Sequence, residues 1–396
     1  MKLTGVALLS LFITVSANAR RLEFSHTEYG FGTGHVTGAP ALADVNGDGR
    51  LDILIVQSSL ADPNISVVHV MLGDGAGNFG DPVDFAVGPN PFAVVAADLN
   101  HDGAVDLVIP FAVGDHPSGV TILMGDGHGA FPVRRDYHFG IVVNAAAIAD
   151  LDGDGQPDIV ATSIYSDSIF ILHGHGDGTF ADPIEYKLTG SGPQALTLAD
   201  FDNDGRIDIA TADGSSNTFT ILLAQKDSSY KISSIPVGHN PFAVISGDFN
   251  EDGRPDLIAV NDFDFTYTAL MGRGDGTFDV VATNNAYGYP EGAIAGDFNG
   301  DGHLDFAIGN SIDGVVSIFA GHGDGTFDAG MSFPAGNNAY MLAAGDIDHD
   351  SDLDLVVANA GAMTVLRNDS LAPKRRAVRV GQALLPVRTG EAPVLH

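Results

Sequence analysis

The sequence predicts an all-β chain folded as a seven-bladed β-propeller of four-stranded antiparallel blades, with the ring closed by the N-terminal strand. Three observations support this prediction. An aspartate-rich nine-residue pattern occurs seven times, at intervals of 48 to 54 residues. A short apolar run rich in β-branched residues follows each copy, as expected for a strand. Four strand-like segments fit into each interval, and repeats of this size are typical of propeller blades.

Composition narrows the possible functions. The chain has 396 residues with 51 acidic and 18 basic side chains, giving a formal net charge of −33. This balance argues against nucleic acid as a partner and against a basic face for anionic membranes. Hydrophobic residues make up 44%, which is enough for a large core and argues against disorder. The absence of cysteine excludes a disulfide scaffold, a thiolate zinc site and a cysteine nucleophile.

Residues 1–19 have the pattern of a secretory signal peptide. Lys2 gives a positive start, residues 3–15 form an apolar run, and residues 17–19 read Ala-Asn-Ala, a typical cleavage site. We therefore expect an exported chain that begins at Arg20, secreted or extracellular, or periplasmic if the source is a Gram-negative bacterium. The apolar run is too short for a membrane span, and we expect no span later in the chain.

The repeated pattern is D-x-[DN]-x-D-G-x-x-D, and we call its copies loops one to seven. They occupy residues 44–52, 98–106, 150–158, 200–208, 248–256, 297–305 and 346–354. Side-chain oxygens at positions 1, 3, 5 and 9 can converge if the chain curls around a point, and the glycine at position 6 permits the turn. Ca²⁺ takes six to eight oxygen ligands, whereas Mg²⁺ demands stricter octahedral geometry, and zinc and copper favour His or Cys.

The sequence therefore predicts up to seven calcium ions as cofactors. The predicted metal ligands are Asp44, Asn46, Asp48 and Asp52; Asp98, Asn100, Asp102 and Asp106; Asp150, Asp152, Asp154 and Asp158; Asp200, Asp202, Asp204 and Asp208; Asp248, Asn250, Asp252 and Asp256; Asp297, Asn299, Asp301 and Asp305; and Asp346, Asp348, Asp350 and Asp354. The alternative is a series of solvated acidic turns. The strict recurrence of Asp and Asn while the intervening residues vary favours the metal interpretation.

The strands follow in order within each repeat. The segment before each loop is rich in small residues, which suits a strand crowded around a central axis. The aspartate at position 9 opens the second strand, and a third strand then ends in a glycine turn closed by Phe, such as residues 174–180. In the fourth repeat this turn reads AQKDSSY (224–230), without glycine. No helix follows the loops and no Glu stands at position 12, so these are not EF-hands.

The two ends of the repeat region predict how the ring closes. The seventh repeat stops after residues 364–369 and lacks a fourth strand, while residues 21–32 form a strand-like segment without a blade of its own. We expect this leading segment to complete the seventh blade, so that no ring edge is exposed. The propeller domain then covers residues 20–369. Residues 370–396 form a basic tail, expected to be a disordered extension, with docking on the acidic propeller or an extra strand as alternatives.

These motifs resemble the FG-GAP/VCBS repeat family, the integrin-alpha-like calcium-binding propellers. The resemblance covers about residues 22–369, and the family's name motif is nearly literal at Phe31-Gly32 and Gly38-Ala39-Pro40. Such repeats also occur in some fungal lectins and in many bacterial exported proteins. The resemblance implies a propeller fold and calcium loops more directly than any activity. Ser351 departs from it, because it replaces the loop glycine of the seventh repeat.

The face opposite the loops is the predicted binding surface. It carries the connections between blades, where amide and aromatic side chains recur. The candidate residues are Asn90, Phe92, His239, Asn240, Phe242, Tyr287, Tyr289, Glu291, Asn338 and Tyr340. Such a ring suits a glycan or an extracellular protein, although turn formation alone also explains Asn, Gly and Pro at these places.

We predict a non-catalytic binding or adhesion module, with no catalytic residues. Two alternatives stay open: a carbohydrate-active enzyme resembling a polysaccharide lyase, and a purely structural envelope protein. No nucleophile or metalloprotease motif supports the enzyme, although site residues on propeller loops leave no sequence signature.

Overall fold

The computed structural model describes residues 22–31, 35–59, 66–112 and 118–370. These residues form 29 strands and no helix, arranged in seven antiparallel sheets. The predicted signal peptide, and the basic tail after Ser370, lie outside the described residues. The predicted fold class is confirmed.

Each sheet is one blade of the propeller. The chain starts with β1 (Phe24–Gly30), which belongs to the seventh blade. The first blade contains β2 (His35–Thr37), β3 (Ala41–Ala43), β4 (Asp52–Ser59), β5 (Ser66–Met71) and β6 (Val83–Ala86). The second contains β7 (Val95–Ala97), β8 (Asp106–Phe111), β9 (Gly119–Met124) and β10 (Val133–His138). The third contains β11 (Ala145–Ala149), β12 (Asp158–Ser163), β13 (Ser168–Leu172) and β14 (Ile184–Lys187).

The remaining blades repeat this order. The fourth contains β15 (Pro193–Ala199), β16 (Asp208–Asp213), β17 (Thr218–Ala224) and β18 (Tyr230–Pro236). The fifth contains β19 (Pro241–Gly247), β20 (Asp256–Asn261), β21 (Thr266–Gly272) and β22 (Phe278–Asn285). The sixth contains β23 (Pro290–Gly296), β24 (Asp305–Asn310), β25 (Val315–Phe319) and β26 (Met331–Pro334). The seventh contains β27 (Met341–Gly345), β28 (Asp354–Asn359) and β29 (Ala362–Asn368), together with β1.

The innermost strands form a closed ring around the axis. Each touches the inner strand of the next blade, from β3 through β7, β11, β15, β19, β23 and β27 back to β3. The last inner residue before each loop is Ala or Gly because the neighbouring blade is close. A Cβ on Gly247 would lie 2.4 Å from Leu304 Cδ2, and one on Gly296 would lie 2.5 Å from Leu353 Cδ1.

The hydrophobic core lies between the blades. Seven clusters each combine residues of two adjacent blades, and the one joining the seventh to the first includes Val356 and Ile53. The second and third strands are almost wholly buried, while the fourth strands expose alternate residues to solvent. Burial of these β-branched and aromatic side chains holds neighbouring blades together.

The ring closes as the sequence predicted. β1 pairs antiparallel with β29, from Phe24 opposite Asn368 to Gly30 opposite Ala362. The backbone N–H of Asp369 donates to the carbonyl of Glu23 at 2.8 Å, which extends the pairing beyond the two strands.

The first blade differs from the others at its inner strand. This strand is broken into β2 and β3 around Gly38, where a Cβ would lie 2.5 Å from Val56 Cγ2 and 2.7 Å from the Phe92 carbonyl oxygen. Ala39 instead pairs in parallel with Ala93 of the next repeat. The Gly-Ala-Pro segment therefore ties the first blade to the second.

Candidate metal centre

All seven acidic loops have one backbone arrangement. The carboxylate at position 1 faces inward, and its Oδ2 accepts the backbone N–H of position 6. In loop one, Gly49 N–H donates to Asp44 Oδ2 at 2.7 Å, and Asp48 N–H donates to Asp44 Oδ1 at 3.1 Å. The position-6 bond recurs at 2.8 to 3.0 Å in the other loops, from Gly103, Gly155, Gly205, Gly253, Gly302 and Ser351. The structure therefore curls each loop around its position-1 carboxylate.

Position 9 has an additional role that the sequence did not show. These seven aspartates are buried, and both carboxylate oxygens of each accept a backbone N–H. Asp106 Oδ2 accepts from Leu99 at 2.9 Å, while its Oδ1 accepts from Gly125 in the glycine turn at 2.7 Å. We call this pair of bonds the aspartate clasp. It places acidic loops and glycine turns on the same face of the propeller.

The clasp is present in every blade. The N–H donors at position 2 are Val45, Leu99, Leu151, Phe201, Phe249, Phe298 and Ile347. The donors at the end of the third strand or in the turn after it are Gly73, Gly125, Gly174, Ala224, Gly272 and Gly321, and in the seventh blade Asn368 at the end of β29. In loops five and six the Oδ2 atom also accepts a second N–H, from Asn250 at 3.3 Å and from Asn299 at 3.2 Å. The other clasp oxygens keep a second lone pair with which they could also bind a cation.

Burial makes the clasp carboxylates hard to ionise without a nearby cation. Desolvation raises the pKa of Asp52 and Asp106 to about 6, and of Asp305 to about 8. The same cause raises the pKa of Asp208, Asp256 and Asp354 to about 7. The other carboxylates of each loop add to the effect, because like charges disfavour ionisation.

Buried oxygens without a hydrogen-bond donor provide a test of whether a cation fits. Among the described residues, Asp202 Oδ1 and Asp348 Oδ1, both at position 3, are buried and lack a partner. Carboxylate oxygens lie within 4.8 Å of one another in three loops. These sets are Asp150, Asp152 and Asp154; Asp200, Asp202 and Asp208; and Asp346, Asp348 and Asp354. A set of oxygens with unpaired acceptors fits a hard cation such as Ca²⁺.

In three loops an arginine side chain forms an ion pair with a loop carboxylate. Arg50, Arg206 and Arg254 stand at position 7, and each guanidinium pairs with the position-5 carboxylate of its own loop. Their Nε atoms donate to turn carbonyls, for example from Arg50 to Gly73 at 3.0 Å. This role was not predicted from the sequence, although Arg at position 7 of three repeats is a visible signal.

The fourth glycine turn keeps its closing hydrogen bond although its sequence has changed. Gln225 N–H donates to the Ser229 carbonyl at 2.8 Å, just as His175 N–H donates to Thr179 in the third blade. Ser228 takes the left-handed backbone with φ of 61° in place of glycine. The altered sequence therefore does not open this blade.

The opposite face shows two uses of its predicted residues. Asn90 and Asn240 have left-handed backbones, and their amides bind the turns, donating to the Ala112 carbonyl and to Asp262 Oδ2. They shape the connections between blades. His239 is exposed and contacts Asp264 at 2.7 Å. Phe92, Tyr289 and Asn338 are exposed, whereas Phe242, Tyr287, Glu291 and Tyr340 are half-buried.

The fold and the loops together define a β-propeller whose blades each carry an acidic loop between the first and second strands. The FG-GAP-like repeat matches residues 44–109, 150–211, 200–259, 248–308 and 297–357. These matches cover more than half of the chain, so the protein belongs to the FG-GAP-like repeat family. The resemblance seen in the sequence is confirmed.

One curated protein is similar to this chain in sequence over part of its length. Human integrin alpha-6 is 28% identical over 165 residues, which are 38% of this chain and 13% of that protein. The chain thus spans only a small part of that relative's length.

Three solved structures share the fold at low identity. BBS1N in complex with ARL6DN has a TM-score of 0.62 at 12% identity, covering 92% of this chain and 100% of that one. The BP39L lectin of Burkholderia pseudomallei has a TM-score of 0.57 at 14% identity, covering 86% and 97%. A rhamnogalacturonan lyase of Bacillus licheniformis has a TM-score of 0.55 at 13% identity, covering 89% and 77%. Within the described residues, no helix is long and apolar enough to cross a membrane.

Proposed function

We propose that this protein is an exported, calcium-stabilised propeller that binds a glycan without catalysing a reaction. The acidic loops hold calcium, and the ligand binds on the opposite face. When bound, calcium supplies positive charge that offsets the loop carboxylates. The chain's own residues then fix the loop through the position-1 hydrogen bonds and the aspartate clasp.

A pair of strained aromatic residues carries the binding-face proposal. Phe265, between β20 and β21, and Tyr289, before β23, have left-handed backbones with φ of 55° and 48°. Their rings touch, with centroids 5.1 Å apart. Left-handed backbone is unfavourable for bulky residues, and such strain clusters at functional sites.

Sister blades show that folding does not require these aromatics. The position of Phe265 is Asp167, Asn217 and Gly314 in the third, fourth and sixth blades. The position of Tyr289 is Asn90, Asn240 and Asn338 in the second, fifth and seventh. Residues that tolerate left-handed backbone fill both places in these blades. Among the blades compared, an aromatic pair replaces better turn formers where the fifth and sixth blades meet.

The surroundings of the pair suit a sugar. Phe263 and Ile312, at the tips of the neighbouring loops, are 64% and 69% exposed. Asp264 and Asp313 lie on the same two loops, and the half-buried Glu291, whose pKa burial raises, follows Tyr289 closely. Aromatic faces pack on the apolar side of a sugar ring, while carboxylates accept its hydroxyl hydrogens. The fold shared with a lectin supports a sugar ligand, and the fold shared with a lyase keeps the enzyme as an outcome to test.

A glycan array on the calcium-loaded full chain tests this function. The double variant F265N/Y289N installs the residues that sister blades use, so it should fold normally and lose about tenfold or more in glycan affinity. Tyr165, an exposed tip residue of the third blade, provides the matched control Y165S, which should bind like the wild type.

Other outcomes would contradict the proposal. Undiminished glycan binding by the double variant would remove the aromatic pair from the site. Release of an unsaturated sugar product would identify a lyase. Specific binding to a purified extracellular protein, with no glycan bound, would show that the ligand is a protein and not a glycan.

A further inference from the structure

The residue just before the glycine turn is a histidine in the third blade and in no other blade. His173 directly follows β13 and precedes the glycine turn of the third blade. The same position holds Leu72, Met124, Leu223, Met271, Ala320 and Arg367 in the other blades. A place that is mostly apolar therefore carries an imidazole in this blade.

The imidazole faces two carboxylates of loop three. His173 Nδ1 lies 3.2 Å from Asp152 Oδ2 and 3.4 Å from Asp158 Oδ2. The three atoms lie within 4.8 Å of one another. Although Nδ1 is itself buried, it makes no hydrogen bond of acceptable geometry. The two carboxylate oxygens therefore lie at ion-pair distance from Nδ1, but neither forms a well-directed hydrogen bond with it.

These separations match the edges of a small coordination sphere. Zn²⁺ binds nitrogen and carboxylate oxygen at about 2.0–2.2 Å, so neighbouring ligands of a tetrahedral site lie roughly 3.3–3.6 Å apart. Calcium binds at about 2.3–2.6 Å and takes oxygen ligands. A nitrogen donor with two carboxylates favours a borderline transition metal over calcium.

We propose that His173, Asp152 and Asp158 form a binding site for a zinc-like divalent transition metal, giving loop three a different metal preference from the other loops. The proposal rests on the proposed metal-binding role of the acidic loops. The side chains of His173 and Asp152 are each 28% exposed, which leaves a path for the ion and room for a water as fourth ligand. Because Asp152 also belongs to the set with Asp150 and Asp154, an ion bound to His173 shares or competes for the Asp152 carboxylate with calcium.

The test is Zn²⁺ titration of the untagged full chain in saturating Ca²⁺, followed by calorimetry. The wild type should bind one tight equivalent of Zn²⁺. The variant H173L, which carries the residue found in the first and fourth blades, should lose about tenfold or more in affinity for that equivalent. His175, in the same turn, gives the matched control H175A, which should retain it.

Two results separate this proposal from the proposed function, and a third measurement tests the zinc site without the variant. Equal Zn²⁺ binding by H173L and the wild type would overturn the site while leaving the calcium role intact. A tight Zn²⁺ equivalent in a chain that binds no Ca²⁺ would support the site and contradict the calcium role. If H173L failed to fold, X-ray absorption of the Zn²⁺-loaded wild type would decide, since one imidazole nitrogen in the zinc shell is expected and its absence would refute the site.

Discussion

Ser351 is where the seventh loop departs from the repeat. It takes the backbone of the missing glycine, with φ of 75°, and its N–H still donates to Asp346 Oδ2 at 3.0 Å. The loop therefore keeps its geometry at the expense of a left-handed non-glycine residue, an arrangement that destabilises a chain by about 1–2 kcal/mol.

The variant S351G should relieve this strain. Greater freedom of glycine in the unfolded chain offsets part of the gain, so we expect a net stabilisation of about 0.5–1 kcal/mol. Urea unfolding at saturating calcium measures it, and the matched variant G302S should destabilise loop six by a similar amount. A destabilised S351G would show that the serine hydroxyl stabilises the loop by more than the left-handed backbone of Ser351 destabilises it.

Asp213 is a buried carboxylate at the opposite end of β16 from the loop-four residue Asp208. It accepts hydrogen bonds from Thr211 at 2.8 Å and from Thr220 at 2.5 Å. Burial nonetheless raises its pKa to about 6. The equivalent residues in the next three blades are Asn261, Asn310 and Asn359, whose amides donate to Thr or Ser hydroxyls.

The pKa of Asp213 predicts a pH dependence of stability. Because the folded state holds the proton more tightly than the unfolded chain, stability falls as pH rises from about 4 to about 6. The loss reaches roughly 3 kcal/mol and stays constant above that range. D213N, with the amide found in the sister blades, should remove this dependence and be more stable than the wild type at pH 7.

Chemical unfolding of D213N and the wild type across this pH range, at saturating calcium, gives the comparison. The difference between the two proteins isolates Asp213 from the other titrating groups. Parallel stability profiles for both would contradict the assignment.

Within each blade, the aspartate clasp joins the acidic loop to the end of the third strand or the turn that follows it. Without the carboxylate of Asp106, the N–H groups of Leu99 and Gly125 would be left unpaired. An unpaired buried polar group is unfavourable by about 1–3 kcal/mol. The clasp thus stabilises the blade even without an ion.

Two variants in loop two separate the clasp from metal binding. In excess chelator, D106A should destabilise the protein by about 3 kcal/mol or more, because two buried N–H groups lose their acceptor. D102A removes a position-5 ligand that is exposed, so in chelator it should change stability by less than about 1 kcal/mol. Thermal unfolding of both proteins measures this, and equal effects would show that position 9 acts only as a ligand.

Much of each blade could be predicted because its signals are local. The apolar run after Asp158 and the small residues before Asp150 place two strands on either side of a loop. The second bond of the clasp could not be predicted, since it joins Asp158 to Gly174, sixteen residues away. His173 was missed for the same reason, because only the paired strands bring its ring to loop three. The aromatic pair required knowledge of the backbone angles at Phe265 and Tyr289.

At the scale of the whole molecule, closure depends on β1. Hydrogen-bonded pairs alternate along antiparallel strands. Phe31 N–H donates to the Gly361 carbonyl, and Asp369 N–H donates to the Glu23 carbonyl. Thr27, opposite Val365 and midway between these pairs, is therefore in the bonded register.

T27P should open this closure. Proline removes one ladder hydrogen bond and disfavours the centre of a paired strand, so we expect destabilisation by about 3 kcal/mol and association of the exposed β29 edge. The exposed side chain makes T27A a matched control of small effect. Analytical ultracentrifugation with thermal unfolding measures both, and a T27P protein as stable and monomeric as T27A would refute the role of this strand.

Divalent ions in the acidic loops are expected to hold the ring together. Seven such ions would cancel 14 of the 33 net negative charges of the chain. The most direct measurement is calcium stoichiometry by elemental analysis, combined with the melting temperature in calcium and in excess chelator. We predict about five to seven ions per chain and a fall in melting temperature of about 10 °C or more after stripping. A stripped protein that melts at the same temperature as the calcium-loaded one would show that the ions do not hold the ring together.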